Sequence, residues 1–275
     1  MIRKIICPTD FSDAANNAVE YAANIAQMMS AELLLFNVQR LSPVEAVLSL
    51  EEGGGITEHS LMVADVLQEM SNEINKTFKI SSSYQVDVSV QSLATMFSSL
   101  EEDNTIIIMG TNGTDTLYQY FFGSNTYHVI KNTNCPVLVV PEHVSYKTVQ
   151  KIVFAWDYNT KSNFSFALLK DFMKIFDPKF IFLHVSQHQS EYSQDVFRAF
   201  RSEVEEALGR NNNMEFEHVY AEGVSETIDT YMLESEAEIL SLTYYNRGLI
   251  PDIFHGKVAK ELIETVEYPI LILHA

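Results

Sequence analysis

Positive charge is scarce in this chain of 275 residues, which has 18 lysines and arginines against 37 aspartates and glutamates and a formal net charge of −19. Proteins bind nucleic acids and anionic membrane surfaces through basic patches that displace counterions. The composition therefore predicts that neither nucleic acid nor a membrane is a partner.

Long apolar runs are also missing. Runs such as TIIIMG and CPVLVV have the length of a strand, whereas a membrane-spanning helix needs ~20 apolar residues. The amino-terminal sequence MIRKIICPTDFSD has too short an apolar stretch for a secretion signal. We expect a cytoplasmic protein.

Cysteine is nearly absent. Cys7 and Cys135 are the two cysteines of the chain, and each lies in or beside an apolar, strand-like run. This pattern predicts buried free thiols in a reducing compartment, and a redox pair is the alternative interpretation. The sequence contains no recognisable catalytic motif. His184 and His188 are four residues apart, but they fall at a predicted strand end, which favours a half-exposed strand end over a metal site.

Apolar strand patterns alternate with helical patterns along the whole chain. In the first half the strand patterns are IRKIICP, AELLLFNV, YQVDVSV, TIIIMG and CPVLVV. Helical patterns separate them, and the first begins after Ser12, which is predicted as its N-cap. Continuous Val, Ile and Leu runs between helices predict an α/β fold with parallel five-stranded sheets and helices on both faces.

The second half repeats the order of the first. Asp157 follows Asp10 by 147 positions, and Pro269 follows Pro136 by 133 positions. Two constant offsets, separated by one deletion, indicate an internal duplication. The sequence predicts two tandem domains, over residues 1–143 and 148–275, joined by a linker within residues 141–150.

A glycine-spaced segment follows the fourth predicted strand. Gly110, Gly113 and Gly123 form the pattern G-x2-G-x9-G-S, and Ser124 begins the next predicted helix. Glycines let main-chain N–H groups approach an anion, and a helix N-terminus favours a phosphate. The segment lies where the carboxyl ends of parallel strands bind ligands, so it predicts an anion or nucleotide loop, with a plain turn and helix cap as the alternative.

PTDFS after the first strand, FNV in the second, MGTNG with FGSNT, and CPVLVVP resemble the universal stress protein family, and the duplicated order resembles its tandem form. The resemblance implies a Rossmann-like fold of the adenine nucleotide alpha hydrolase type that binds ATP. By this resemblance Asp10 and Val38 hold the adenine and ribose end, and Thr9 and Met109 line the same pocket. The residues expected to meet ribose and phosphates are Gly110, Asn112, Gly113, Gly123, Ser124 and Asn125.

The second repeat departs from this pattern. Thr243 stands at the position of Gly110, Asn246 at that of Gly113 and Lys257 at that of Ser124, although Gly256, Asp157 and Val185 are retained. Side chains at these positions would crowd the loop. We expect a degenerate domain that serves chiefly as a pairing partner for the first.

The first-repeat loop has no basic residue between Gly110 and Asn125, and Asp115 adds a negative charge. A triphosphate would meet backbone dipoles and a hydroxyl in a strongly acidic protein. The sequence therefore predicts that ATP binding depends on Mg²⁺ or Mn²⁺.

The predicted function is that of a non-enzymatic, ATP-dependent regulator of stress physiology. The alternatives are a slow ATPase, for which the loop offers only Asp115 and the more distant His128 as bases, and a nucleotide-free tandem scaffold. The resemblance also implies that the last strands of the two repeats pair as in a family homodimer. Dimerisation of the whole chain is left open.

Overall fold

A computed structural model describes residues 1–40, 58–89, 93–100, 104–111, 124–156, 166–187, 194–210, 213–244 and 267–274. The chain divides into two compact units. The first spans Ile2–Tyr146, and the second spans Lys147–Ala275 together with Met1.

The first unit alternates strands and helices, as its sequence predicts. Its strands are β1 (Lys4–Pro8), β2 (Glu32–Arg40), β3 (Ser82–Ser89), β4 (Thr105–Gly110) and β5 (Val137–Val140). Its described helices are α1 (Asp13–Met29), α2 (Glu58–Phe78), α3 (Leu93–Leu100) and α4 (Ser124–Asn132).

The five strands form a parallel sheet in the order β3-β2-β1-β4-β5. Helices cover both faces, because α1 packs against α2 while α3 packs against α4, and the Phe36 ring of β2 contacts the Phe97 ring of α3. The strands β1, β4 and β5 are almost wholly buried. Burial on both faces explains why their sequences are continuous apolar runs rather than alternating ones.

The segment 141–146 belongs to the first unit. Asn17 of α1 donates from Nδ2 to the carbonyls of Pro141, at 2.8 Å, and Val144, at 3.0 Å. The Tyr146 ring meets the Tyr21 ring edge to face, with centroids 5.1 Å apart. The first half of the predicted linker is therefore fixed to α1.

The second unit has the same strand order as the first. Its strands are β6 (Lys151–Ala155), β7 (Lys179–Ser186), β8 (Met214–Tyr220), β9 (Ile239–Tyr244) and β10 (Ile270–His274). They form a parallel sheet in the order β8-β7-β6-β9-β10. The described helices are α5 (Ala167–Phe176), α6 (Gln194–Leu208) and α7 (Val224–Ser235).

Candidate functional site

The strand order of the first unit reverses between β1 and β4, which are hydrogen-bonded neighbours. In open parallel sheets the crevice at such a reversal, outside the carboxyl ends of the strands, is where ligands bind. Thr9 and Asp10 follow β1 directly, and Gly110 ends β4. The structure therefore brings these three sequence-predicted residues to the same place.

A strained turn leads from β1 into α1. Phe11 has a φ of 64°, in the left-handed region, which costs a residue other than glycine about 1–2 kcal/mol. The Phe11 N–H donates to Thr9 Oγ1 at 3.1 Å, and the Thr9 N–H donates to the Phe36 carbonyl at 2.9 Å. Backbone strain of this kind persists where the surroundings hold the chain firmly, and it concentrates at functional sites.

Asp10 is exposed at this turn, and its Oδ1 accepts hydrogen bonds from the Ser12 N–H at 3.1 Å and the Ser12 hydroxyl at 2.6 Å. Ser12 Oγ in turn accepts from the Ala15 N–H at 3.2 Å and caps α1. The predicted N-cap is thus confirmed. The same bonds fix the direction of the Asp10 carboxylate.

Asn37, in the buried part of β2, is a site residue for which the sequence analysis assigned no role. Its Nδ2 donates to the Thr9 carbonyl at 2.8 Å, across 28 positions of sequence. The side chain is 7% exposed, and its Oδ1 is buried without a hydrogen-bond partner. The available signal was one amide at the end of the apolar run LLLF, because buried polar side chains are retained where they bond to a specific partner.

Gly110 is required by packing. A Cβ at this position would lie 2.7 Å from the Ala14 carbonyl oxygen and 3.2 Å from the Ala14 Cβ. The absence of a side chain therefore lets the first turn of α1 approach the end of β4. The Gly110 carbonyl also accepts a hydrogen bond from Thr126 Oγ1 of α4, at 3.2 Å.

The other predicted residues are placed in part. Met109 is buried in β4, Val38 is half-buried near the end of β2, and Asn125 is exposed in the first turn of α4. Ser124 is the first residue of α4. Asn112, Gly113 and Gly123 lie outside the described residues, so their predicted roles stay predictions.

The sequence of the first unit matches a known family. The model of the universal stress protein family matches residues 1–141, which is half of the chain. The chain belongs to the universal stress protein family. Universal stress protein MJ0531 of Methanocaldococcus jannaschii is 30% identical over 148 residues, covering 51% of this chain and 82% of that protein. Universal stress protein MJ0577 of the same organism is 27% identical over 158 residues, covering 51% and 95%.

The fold of the whole chain is similar to a solved structure of the same family. A universal stress protein from Archaeoglobus fulgidus DSM 4304 has a TM-score of 0.75 and covers 98% of this chain and 97% of its own, at 17% identity. The predicted fold, a Rossmann-like parallel sheet with helices on both faces, is confirmed.

In the second unit of this universal stress protein, aromatic side chains occupy the end of the first strand. Trp156 follows β6 at the position equivalent to Thr9, and its indole stacks on Phe200 of α6 with ring centroids 3.9 Å apart. Trp156 is 7% exposed. The residue after the first strand is therefore a packed aromatic side chain in the second unit, whereas it is the small hydroxyl side chain of Thr9 in the first.

His184 is buried, not half-exposed as predicted, with 4% of its surface accessible. Its Nδ1 lies 2.9 Å from the Trp156 carbonyl oxygen. A carbonyl can only accept, so Nδ1 carries the proton. The prediction was wrong because it placed His184 at the exposed end of the strand. In the structure β7 continues to Ser186, and α6 covers this face of the sheet through Phe200, which packs on Phe182.

His218 of β8 lies beside His184, with nearly parallel rings 5.4 Å apart. Its Nε2 is hydrogen-bonded to Ser186 Oγ at 2.8 Å. Burial, and secondarily the His184 ring, lower the pKa of His218 below its usual value. Within the described ranges no group of three or more His, Cys, Asp or Glu side chains could hold a metal ion.

The two cysteines are buried free thiols, as predicted. Burial raises the pKa of Cys7 far above its usual value. A buried protonated thiol is a poor nucleophile. Among the helices that the structure describes, none is long and apolar enough to cross a bilayer.

Proposed function

We propose that the first unit binds ATP at the carboxyl ends of β1 and β4. The observation that carries this proposal is the meeting of the strained Thr9–Ser12 turn and Gly110 at the point where strand order reverses. A turn held by side-chain hydrogen bonds is pre-organised, so a ligand does not have to order it on binding.

The residues divide by the part of the nucleotide that each would contact. Asp10 and Val38, with Thr9 and Met109 beside them, would hold the adenine and ribose. The ribose and phosphates would meet Gly110, Asn112, Gly113, Gly123, Ser124 and Asn125. The N-terminus of α4, which begins at Ser124, supports this assignment because unpaired N–H groups and the helix dipole favour a phosphate.

We propose that the bound species is ATP with Mg²⁺ or Mn²⁺. Mg²⁺ in nucleotide sites is held mainly by phosphate oxygens, water and one or two protein ligands. This mode does not require a cluster of three protein ligands, and the described residues contain none. Removing the divalent cation with a chelator should weaken ATP binding at least tenfold, because the net charge of −19 then faces an unscreened triphosphate; undiminished affinity would contradict the metal requirement.

The binding of ATP would act as a switch that changes the surface presented by the loop between Gly110 and Asn125. The first test is to denature the purified protein and separate the released small molecules by anion exchange. ATP released from the protein supports binding without rapid turnover. ADP alone would support a slow ATPase, and an empty extract with no thermal shift on adding Mg·ATP would support the scaffold.

A matched pair of substitutions tests the location. Gly113→Val should abolish ATP binding because its side chain blocks the approach of phosphate, whereas Asn246→Val, at the equivalent position of the second unit, should leave the affinity unchanged. Equal affinity of the Gly113→Val variant and the parent, measured by calorimetry, would show that the pocket is misplaced.

We propose that residues 148–275 are a degenerate domain of the family and that the two units pair through their last strands. The support is that both strands are apolar and end the strand order of their units, and open apolar edges favour pairing. A protease site inserted after Tyr146 tests this pairing. The cleaved halves should elute together on size exclusion, and separate elution would contradict it; sedimentation of the intact chain would decide between monomer and dimer.

A further inference from the structure

The hydrogen bond from Asn37 to the Thr9 carbonyl is a side-chain tie between β2 and the turn that follows β1. Two side chains of the turn itself make local bonds. The Thr9 hydroxyl accepts from Phe11, and the Asp10 carboxylate accepts from Ser12. Local bonds shape the turn but do not attach it to the sheet. Asn37 and the main-chain bond from Thr9 to Phe36 make that attachment.

The turn needs such an attachment because Phe11 is held at a φ of 64°. A bulky residue leaves the left-handed region when its neighbours release it. Relaxation of Phe11 would rotate the adjoining peptide groups and, with them, the direction of the Asp10 side chain.

The second unit contains the same device with a different side chain. The main-chain N–H of Trp156 donates to the Leu183 carbonyl at 3.0 Å, as the main-chain N–H of Thr9 donates to the Phe36 carbonyl. His184, at the position equivalent to Asn37, donates from Nδ1 to the Trp156 carbonyl at 2.9 Å. Both units therefore place a buried donor at this position of the second strand, and the chain itself shows that either an amide or an imidazole can make the bond.

We infer that Asn37 is a positioning residue of the nucleotide site: by holding the Thr9 carbonyl it fixes the strained turn that presents Asp10 to the ligand. This inference rests on the proposed function of the first unit. Asn37 makes this contribution without touching the ligand. Its effect is to keep the carboxylate oriented before ATP arrives.

Three full-length variants test the inference. Asn37→Leu removes the donor at similar volume, and Asn37→His introduces the donor that the second unit uses. His184→Leu removes the equivalent bond from the second unit and controls for the general cost of an unpaired carbonyl. Two quantities are measured for each: the dissociation constant for Mg·ATP, and the exchange rates of the Phe11 and Ser12 amide hydrogens in the ligand-free protein.

Asn37→Leu should weaken Mg·ATP binding by about tenfold, because the ligand must then order a turn that one hydrogen bond held in place before binding, and it should speed exchange at Phe11 and Ser12. Asn37→His should restore both to near the parent, and His184→Leu should change neither. A merely structural role would lower stability in Asn37→Leu but leave the affinity for Mg·ATP unchanged. Should Asn37→Leu fail to fold, Asn37→Ser, whose side chain is too short to reach Thr9, takes its place.

The outcomes separate the two proposals. Unchanged affinity and unchanged exchange in Asn37→Leu would overturn the positioning role while leaving ATP binding intact. A parent protein that binds no ATP would overturn the proposed function, and with it the role of Asn37 at that site. Failure of Asn37→His to restore binding in a protein whose turn exchanges normally would also overturn the inference, because the bond would then be present without its effect.

Discussion

Gly110 has a role in the structure that differs from the one its sequence pattern predicted. Its spacing predicted an anion loop, but its position against Ala14 requires glycine whether or not an anion binds. The two roles are compatible. They differ in what a substitution should do to the empty protein.

Gly110→Ala should lower the free energy of unfolding by about 1–3 kcal/mol, because the added Cβ would lie 2.7 Å from a backbone oxygen and α1 must move away. Gly223→Ala is the matched control. Its Cβ would also lie 2.7 Å from a neighbour, but that neighbour is the end of the flexible Glu226 side chain. Urea unfolding without ligand measures both, and equal losses would contradict the packing role of Gly110.

His218 should make stability depend on pH. Its pKa is lowered in the folded protein, so below about 6.5, the usual histidine value, the unfolded chain binds more protons than the native one. The stabilising effect is complete above that pH and is lost as the pH falls toward the lowered pKa. His218→Gln should therefore lose less stability than the parent between pH 7.5 and 5.5 in urea unfolding; equal losses would exclude His218 as the cause.

At the scale of elements, α1 connects the parts of the first unit. Its first turn carries the Ser12 cap and packs on Gly110, and its second turn fixes residues 141–146 through Asn17. One helix therefore adjoins the proposed site at its start and the end of the unit at Asn17.

Ser12→Ala should destabilise the first unit by about 1 kcal/mol, since the N-cap acceptor for Ala15 is lost. Ser12→Thr, which retains a hydroxyl, should recover most of that stability. Thermal unfolding of the two variants beside the parent gives the comparison. A Ser12→Ala variant as stable as the parent would show that water replaces the cap at no cost.

The sequence predicted those elements whose signal is local. The strands of TIIIMG and CPVLVV and the Ser12 cap all follow from short patterns. The sequence analysis missed features that depend on contacts between segments far apart in sequence. These are the packing of Gly110 on Ala14, the hydrogen bond of Asn37 to Thr9 and the burial of His184. No periodicity encodes such contacts.

At the scale of the whole molecule, the net charge of −19 opposes the approach of ATP. Salt screens charges beyond about 10 Å at 0.1 M and about 30 Å at 0.01 M. At constant free Mg²⁺, the association rate of ATP should therefore rise as NaCl increases from about 10 to 150 mM. Stopped-flow measurement with a fluorescent ATP analogue checks this expectation. A rate that falls with salt, as at basic phosphate sites, would mean that local positive potential outweighs the overall charge.

Trp156 is the single tryptophan of the chain, and it belongs to the second unit. The protein thus has a natural optical label in the half that is not proposed to bind ATP. Indole emission is sensitive to its immediate surroundings, here Phe200 and His184. A change in emission when nucleotide binds to the first unit would therefore show that binding alters the surroundings of Trp156 in the second unit, without any attached dye.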